Sequence, residues 1–105
     1  MAQSISSCSS VKTTLNAIGG KWKPLILFLL TDKTLRFSEL QKSIDGITQK
    51  MLTQQLRELE AEKLIKRKIY TQVPPKVEYT ITEYGKTLIP ILKTMHEWGK
   101  KHDIA

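Results

Sequence analysis

Five side chains in the stretch Thr48 to Lys68, TQKMLTQQLRELEAEKLIKRK, are the best equipped for chemistry: Gln49, Lys50, Thr53, Gln54 and Arg57. The glutamines and the threonine are uncharged hydrogen-bonders, which can pair with the edge of a base. Arg57 suits a bidentate contact to guanine or a hold on a phosphate. Spacing puts these groups together. Leu52, Leu56 and Leu59 recur at i, i+4 and i+7, one apolar stripe at the helical period. Lys50, Thr53, Gln54 and Arg57 then fall on the opposite side, with Gln49 at its edge. An ordinary solvated face would more often carry Lys and Glu. The chemistry expected of this stretch is the reading of duplex DNA by a recognition helix.

Composition bounds the alternatives. With 105 residues, the chain is long enough for one domain with a modest core, spanning 1–105. Its 40% hydrophobic and 26% charged residues describe a soluble globular protein rather than a disordered one. The longest apolar run, Leu25 to Leu30, falls far short of the roughly 20 residues needed to cross a bilayer. No basic n-region with an apolar h-region opens the chain, so a cytoplasmic location and no membrane partner are expected. A single cysteine, Cys8, allows no internal disulfide and no cysteine metal site, and no cofactor is expected. Gly19-Gly20-Lys21 is not a phosphate loop, because Leu15 and Trp22 stand where that motif needs Gly and Ser or Thr.

The net charge of +7 is unevenly spread. Residues 1–47 carry six basic and three acidic side chains, residues 48–76 seven and three, and residues 77–105 four of each. The excess lies in the first two thirds, as an anionic partner docked on one part of the fold would require. Solubility alone is the plainer explanation for a basic protein.

The elements that would position the polar face are readable in order. Residues 1–10, rich in serine, are expected to be loose. A helix over Val11 to Ile18 should point Leu15 and Ile18 inward, and Gly19-Gly20 should end it. A second helix from Lys21 to Thr31 accommodates Pro24 in its first turn and is apolar all round, which marks it as central. Leu35 to Phe37 suggests a short strand. Ser38 is expected to cap a third helix, with Gln41 completing a capping box and Leu40 and Ile44 inward. Asp45-Gly46 turns the chain and Thr48 caps the recognition helix, which together make a helix-turn-helix signature. Glu62-Lys63 end that helix. Ile65 to Thr71 reads as a strand, Gln72 to Pro75 as a loop and Val77 to Ile81 as a second strand.

A hairpin directly after a recognition helix is the order of a winged helix. The fold class expected is mainly α with a small β-hairpin, an α+β winged helix-turn-helix. Lys66, Arg67, Lys68 and Lys76 would bring charge to phosphates, Lys68 and Lys76 being the main candidates, although ordinary surface lysines would look the same. Ser38 and the backbone N–H groups at both helix starts would also grip phosphates. The last helix, over 82–100, begins at Thr82, and Pro90 should kink it. Its stripe of Leu88, Ile91, Leu92, Met95 and Trp98 is more apolar surface than one small core needs, so pairing with a second subunit is expected.

Several blocks stand in fixed order: Ile18-Gly19-Gly20-Lys21-Trp22, Phe37-Ser38-Glu39-Leu40, Met51-Leu52-Thr53-Gln54 after Ile47, and Leu56-Arg57-Glu58-Leu59-Glu60. Val73-Pro74-Pro75-Lys76-Val77-Glu78-Tyr79 and Thr82-Glu83-Tyr84-Gly85 follow. With these blocks the chain resembles the HxlR family of bacterial transcriptional regulators, and the resemblance spans Cys8 to Trp98. It implies a homodimer joined through its N- and C-terminal helices, Leu15 included, on double-stranded DNA with two half-sites. In some members a single N-terminal cysteine senses oxidants or electrophiles, which makes Cys8 the redox candidate and an oxidant or small molecule the candidate effector. Those members often carry proline after the cysteine, whereas Ser9 follows here. A thiol just ahead of a helix and near Lys12 suits a lowered pKa, and an inert packed cysteine is the alternative.

Two other classes compete. A winged helix can pack on a protein instead of DNA, but an apolar outward face would suit that better than Gln, Thr and Arg. For an enzyme, neither paired carboxylates in a Gly-bounded loop nor metal-ligand spacing is present, and His96 and His102 read as surface residues near the end of the last helix.

Overall fold

The computed structural model describes residues 5–103, with side chains from Ser9 onward. Helix α1 runs over Ile5–Ile18, α2 over Lys23–Leu29, α3 over Phe37–Ser43, α4 over Gln49–Ala61 and α5 over Ile89–His102. The strands are β1, Leu35–Arg36, β2, Ile65–Tyr70, and β3, Lys76–Ile81. They form one antiparallel sheet in the order β1-β3-β2. Ile65 faces Ile81 and Tyr70 faces Lys76 across the hairpin, while Leu35 faces Tyr79 on the other side of β3. The architecture is the expected α+β winged helix, with the two-residue β1 tying the start of the helix-turn-helix to the wing.

One core organises these elements. Ile26, Leu27, Leu40, Leu52 and Leu59 are completely buried, joined by Leu30, Leu56, Leu64, Ile65 and Leu92. The stripe of Leu52, Leu56 and Leu59 therefore points inward as its spacing predicts. Burying each such leucine stabilises by roughly 1.5–3 kcal/mol. Three of them match much of the net stability of a small domain, about 5–15 kcal/mol. That decides how α4 is rotated, and hence which side chains it turns outward.

The helix-turn-helix closes as its residue types require. Gly46 takes a φ of +84°, the left-handed conformation that glycine adopts without a Cβ clash. Thr48 caps α4, its side-chain oxygen accepting from the Met51 N–H at 3.1 Å.

Several expectations are corrected. Residues 5–10 are not loose but belong to α1, so the low helix propensity of the serines is overridden. The remainder of that segment, residues 1–4, lies outside the described residues. Leu15 does not point inward; it is 58% exposed, and Ile18 alone of the pair joins the core. Helix α2 begins two residues later than predicted, with Pro24 in its first turn. It is not covered all round either, since Ile26, Leu27 and Leu30 are buried while Leu25 and Phe28 stay exposed.

Ser38 is not a cap, because α3 starts at Phe37 after Arg36. Glu39, rather than Gln41, closes the motif there: its carboxylate accepts the Arg36 N–H at 2.8 Å. The last helix does not start at Thr82. A 3₁₀ turn over Gly85–Leu88 precedes α5, and Pro90 falls in the first turn of α5, where it costs no intrahelical donor and forces no internal kink.

The junction between α4 and the C-terminal segment rests on two small residues. The Thr82 hydroxyl donates to the Lys63 carbonyl at 2.7 Å and accepts the Gly85 N–H at 2.9 Å. Lys63 ends α4 in the left-handed region, φ 62°, and the Leu64 N–H reaches back to the Leu59 carbonyl at 3.0 Å. Buried Gly85 packs on that same turn. A Cβ there would overlap the Leu64 carbonyl and come within 2.7 Å of Ile81 Cγ1. Thr82→Val should therefore cost about 0.5–2 kcal/mol through the lost cap. Gly85→Ala should cost about 1–3 kcal/mol by overpacking. Chemical denaturation of both variants checks this, and stabilities equal to the parent's would remove the junction from the account.

Candidate nucleic-acid interface

The rotation set by the leucine stripe brings the polar residues of α4 to one outward face. Gln49, Lys50, Gln54 and Arg57 are exposed and Thr53 is half-exposed. With Thr48 and Glu58 they line an open hollow of about 750 Å³. All five predicted reading residues thus share one surface.

Their hydrogen bonds restrict what each can offer. Thr53 donates its hydroxyl hydrogen to the Gln49 carbonyl at 2.8 Å, so outward it presents a methyl group and acceptor lone pairs. Gln54 donates from Nε2 to Glu58 Oε2 at 3.3 Å. Glu58 in turn holds Lys23 Nζ of α2 at 2.7 Å through its other oxygen. The Lys23 ammonium, then the Gln54 amide, keep the Glu58 carboxyl below the usual carboxylate range. Sequence reasoning passed over both Glu58 and Lys23. The i,i+4 spacing of Gln54 and Glu58 could have flagged the first pair; no sequence signal marks a contact between two helices 35 positions apart.

Arg57 also borders a second open hollow, about 420 Å³, that it shares with Glu60, Ala61 and Arg67 where α4 meets β2. Arg67, lying 3.8 Å from Glu60, is a cation that the expectations ranked below Lys68 and Lys76. Two guanidinium groups at one hollow suit a phosphate oxygen at least as well as Arg57 suits a guanine.

On the wing, Lys68 and Lys76 converge on one ring. Their ammonium groups lie 4.9 and 4.7 Å from the centre of Tyr70. Lys76 is half-buried and pairs with Glu78 at 3.3 Å, so much of its charge is compensated inside the hairpin. A hydrogen bond from Tyr70, then the Lys76 ammonium, hold the Glu78 carboxyl below the ordinary range. Ser38 is exposed as the second residue of α3, close to a helix start whose first N–H, that of Arg36, the Glu39 carboxylate already occupies. That carboxylate works against a phosphate at the same point.

The candidate subunit-contact residues divide into two groups. Leu92 is buried in its own core, and Leu88 is half-buried against it. Ile91, Met95 and Trp98 on α5 and Leu15 on α1 are 40–65% exposed. Leu25 and Phe28 of α2, which the sequence reading did not single out for contact, line one groove with Leu92 and Met95, and Val11 of α1 is exposed as well. His96 is exposed as expected but lies mid-way along α5, stacked on Phe28 with ring centres 5.0 Å apart. His102 stacks on Trp98 at 3.9 Å and its Nδ1 lies 2.8 Å from the Trp98 carbonyl. Cys8 is the fourth residue of α1 rather than preceding the first helix, and its side chain lies outside the described residues. Among the described residues no helix is long and apolar enough to cross a membrane.

Comparison with known proteins bears on this geometry. Residues 17–104 match the model of the HxlR-like helix-turn-helix family. An HTH-type transcriptional regulator of Methanothermobacter thermautotrophicus is 56% identical over 93 residues, covering 89% of this chain and 71% of that protein. The HTH-type transcriptional regulator YtcD of Bacillus subtilis is 57% identical over 93 residues, covering 89% of this chain and 74% of its own. Among solved structures, the redox regulator HypR in its oxidized form superposes with a TM-score of 0.89 at 49% identity, covering 91% of this chain and 99% of that one. Matched along almost its whole length, with a helix-turn-helix whose polar face is turned outward, this chain belongs to the HxlR family of helix-turn-helix transcriptional regulators.

Proposed function

We propose that this regulator binds double-stranded DNA sequence-specifically as a homodimer on an operator with two half-sites. The observation that carries the reading is the shared outward face of Gln49, Lys50, Thr53, Gln54 and Arg57, backed by a fully buried leucine stripe. A helix held so firmly on one side can lay the other in a major groove with little loss on docking. Gln54 and Gln49 take the base edges. Lys50 and Arg57 take a base or the backbone beside it. Lys68, Arg67 and, more weakly, the paired Lys76 add sequence-independent attraction along the wing. The exposed apolar residues Leu15, Ile91, Met95 and Trp98 form the subunit contact, with Leu88 and Leu92 supporting it from the core. Two-fold symmetry then requires half-site centres about 34–36 Å apart, or a multiple of that.

A redox response through Cys8 is the second reading, favoured by the likeness to a redox regulator solved in its oxidized form. The first turn of a helix stabilises a thiolate, which is the attacking species. With one cysteine per chain, oxidation has to join two subunits or capture a small thiol.

The test is binding of the full chain to DNA from upstream of its own gene against a scrambled duplex, across a salt series. Tight, salt-steep binding to the upstream sequence alone is expected. Equal weak binding to both duplexes would leave basic attraction only and favour a protein-interaction module. Gln54→Ala should cost roughly 1–3 kcal/mol and relax preference at one base pair. Lys68→Ala should instead weaken all sequences alike and reduce the salt slope by about 1, which quantitative gel shifts at several salt concentrations resolve. Diamide should release the parent protein from its operator and leave Cys8→Ser bound; equal release of both proteins would end the cysteine reading.

A further inference from the structure

Glu58 is out of place on a surface meant for DNA. It lines the same open hollow as Gln54 and Arg57, where a carboxylate repels phosphates. Its surroundings answer the difficulty. Lys23, only 14% exposed at its side chain, reaches across from α2 and holds Glu58 Oε1 at 2.7 Å. The pair is close to neutral from a distance, so the carboxylate is tolerated and its second oxygen stays available. That oxygen accepts from Gln54 Nε2.

This contact removes a choice. A free glutamine amide can turn over and present donor or acceptor to either side, because its two ends are alike in shape. A carboxylate has only acceptors, so the end facing Glu58 must be the NH₂ group. One of its two hydrogens is used there. The other hydrogen and the Oε1 lone pairs remain for DNA, as one donor and one acceptor with a fixed left–right order. Adenine presents the complement in the major groove, an N7 acceptor beside an N6 donor. Guanine offers two acceptors at that edge, and a glutamine locked in this order leaves its oxygen facing one of them.

We propose that Glu58, anchored by Lys23, is a positioning residue that locks the Gln54 amide in one orientation and so sets a preference for adenine at the base pair Gln54 reads. The inference rests on the DNA-reading role of α4 proposed above. It also makes Lys23, a residue of the central helix, part of the specificity of the recognition helix.

The experiment is competition binding of the full-length protein to operators carrying each of the four base pairs at every position of one half-site. For the parent, adenine should win by about 10- to 100-fold at one position, and Gln54→Ala should abolish that preference. Glu58→Gln keeps the shape but lets its own amide present a donor or an acceptor, so Gln54 can turn over. Adenine preference should then drop to within about threefold at that position alone, with the preferences at other positions unchanged. In a Gln54→Ala background, Glu58→Gln should have no effect on base preference. Lys23→Met gives a second handle: the Glu58 carboxyl midpoint, followed by carbon NMR, should rise, and adenine preference should fall.

A merely structural ion pair predicts something else, an equal loss on every sequence with lowered stability, and that result would overturn the proposal. So would an adenine preference intact in both Glu58→Gln and Lys23→Met. A parent with no base preference at any position would instead defeat the DNA-reading role itself, and this inference with it.

Discussion

Everything about the outward face of α4 depends on the burial of its inward one. Leu52, Leu56 and Leu59 lie in the same core as Ile26 and Leu27 of α2 and Leu40 of α3, with almost none of their surface exposed. A helix seated on three leucines cannot roll by one residue without moving the whole stripe out of its seat, and the three together are worth much of the domain's stability. The cap at Thr48 and the left-handed closure at Lys63 fix its two ends. The Gln54 and Arg57 side chains therefore leave a rigid base, which is the condition for reading a sequence rather than merely adhering to charge.

Charge on this protein is more local than its total implies. Of the cations near the proposed interface, Lys23, Arg67 and Lys76 each have a carboxylate of the same chain within 4 Å. Such pairs at a surface contribute little to stability, so their main effect is on where potential remains uncompensated. That leaves the outward side of α4, with Lys50 and Arg57, and the exposed strand β2, with Lys66 and Lys68, as the main sources of field. A partner sensing that field meets α4 and the wing together.

Most of the exposed apolar residues lie on the three helices α1, α2 and α5, while Ile69 and Val73 of the hairpin and Tyr84 are exposed elsewhere. Val11 and Leu15 of α1, Leu25 and Phe28 of α2, and Ile91, Met95 and Trp98 of α5 are all at least a third exposed. Large exposed apolar patches on small soluble proteins usually mark contact surfaces. The central helix α2 thus has two duties, with Ile26 and Leu27 in the core and Leu25 and Phe28 outside it, while its first residue, Lys23, holds the recognition helix through Glu58.

Periodicity and turn chemistry were enough to place the recognition helix, its leucine stripe, the Gly46 turn, the Thr48 cap and the hairpin, because each is decided within a few residues of itself. The shared outward face of Gln49, Lys50, Thr53, Gln54 and Arg57 followed, since a helix's outward face is known once its inward face is. What the sequence could not decide depended on distant neighbours. Serine propensity argued for a loose N-terminus where α1 continues, and a capping motif centred on Ser38 lost to Glu39, which reached the Arg36 N–H first. A wholly apolar α2 looked buried on every side, but a core of this size covers only part of it. Composition determined that the chain would be basic, and spacing that it would carry a polar-faced helix. Only the tertiary structure decided which cations are already paired and which glutamine is held in place, because those contacts join groups far apart in the chain.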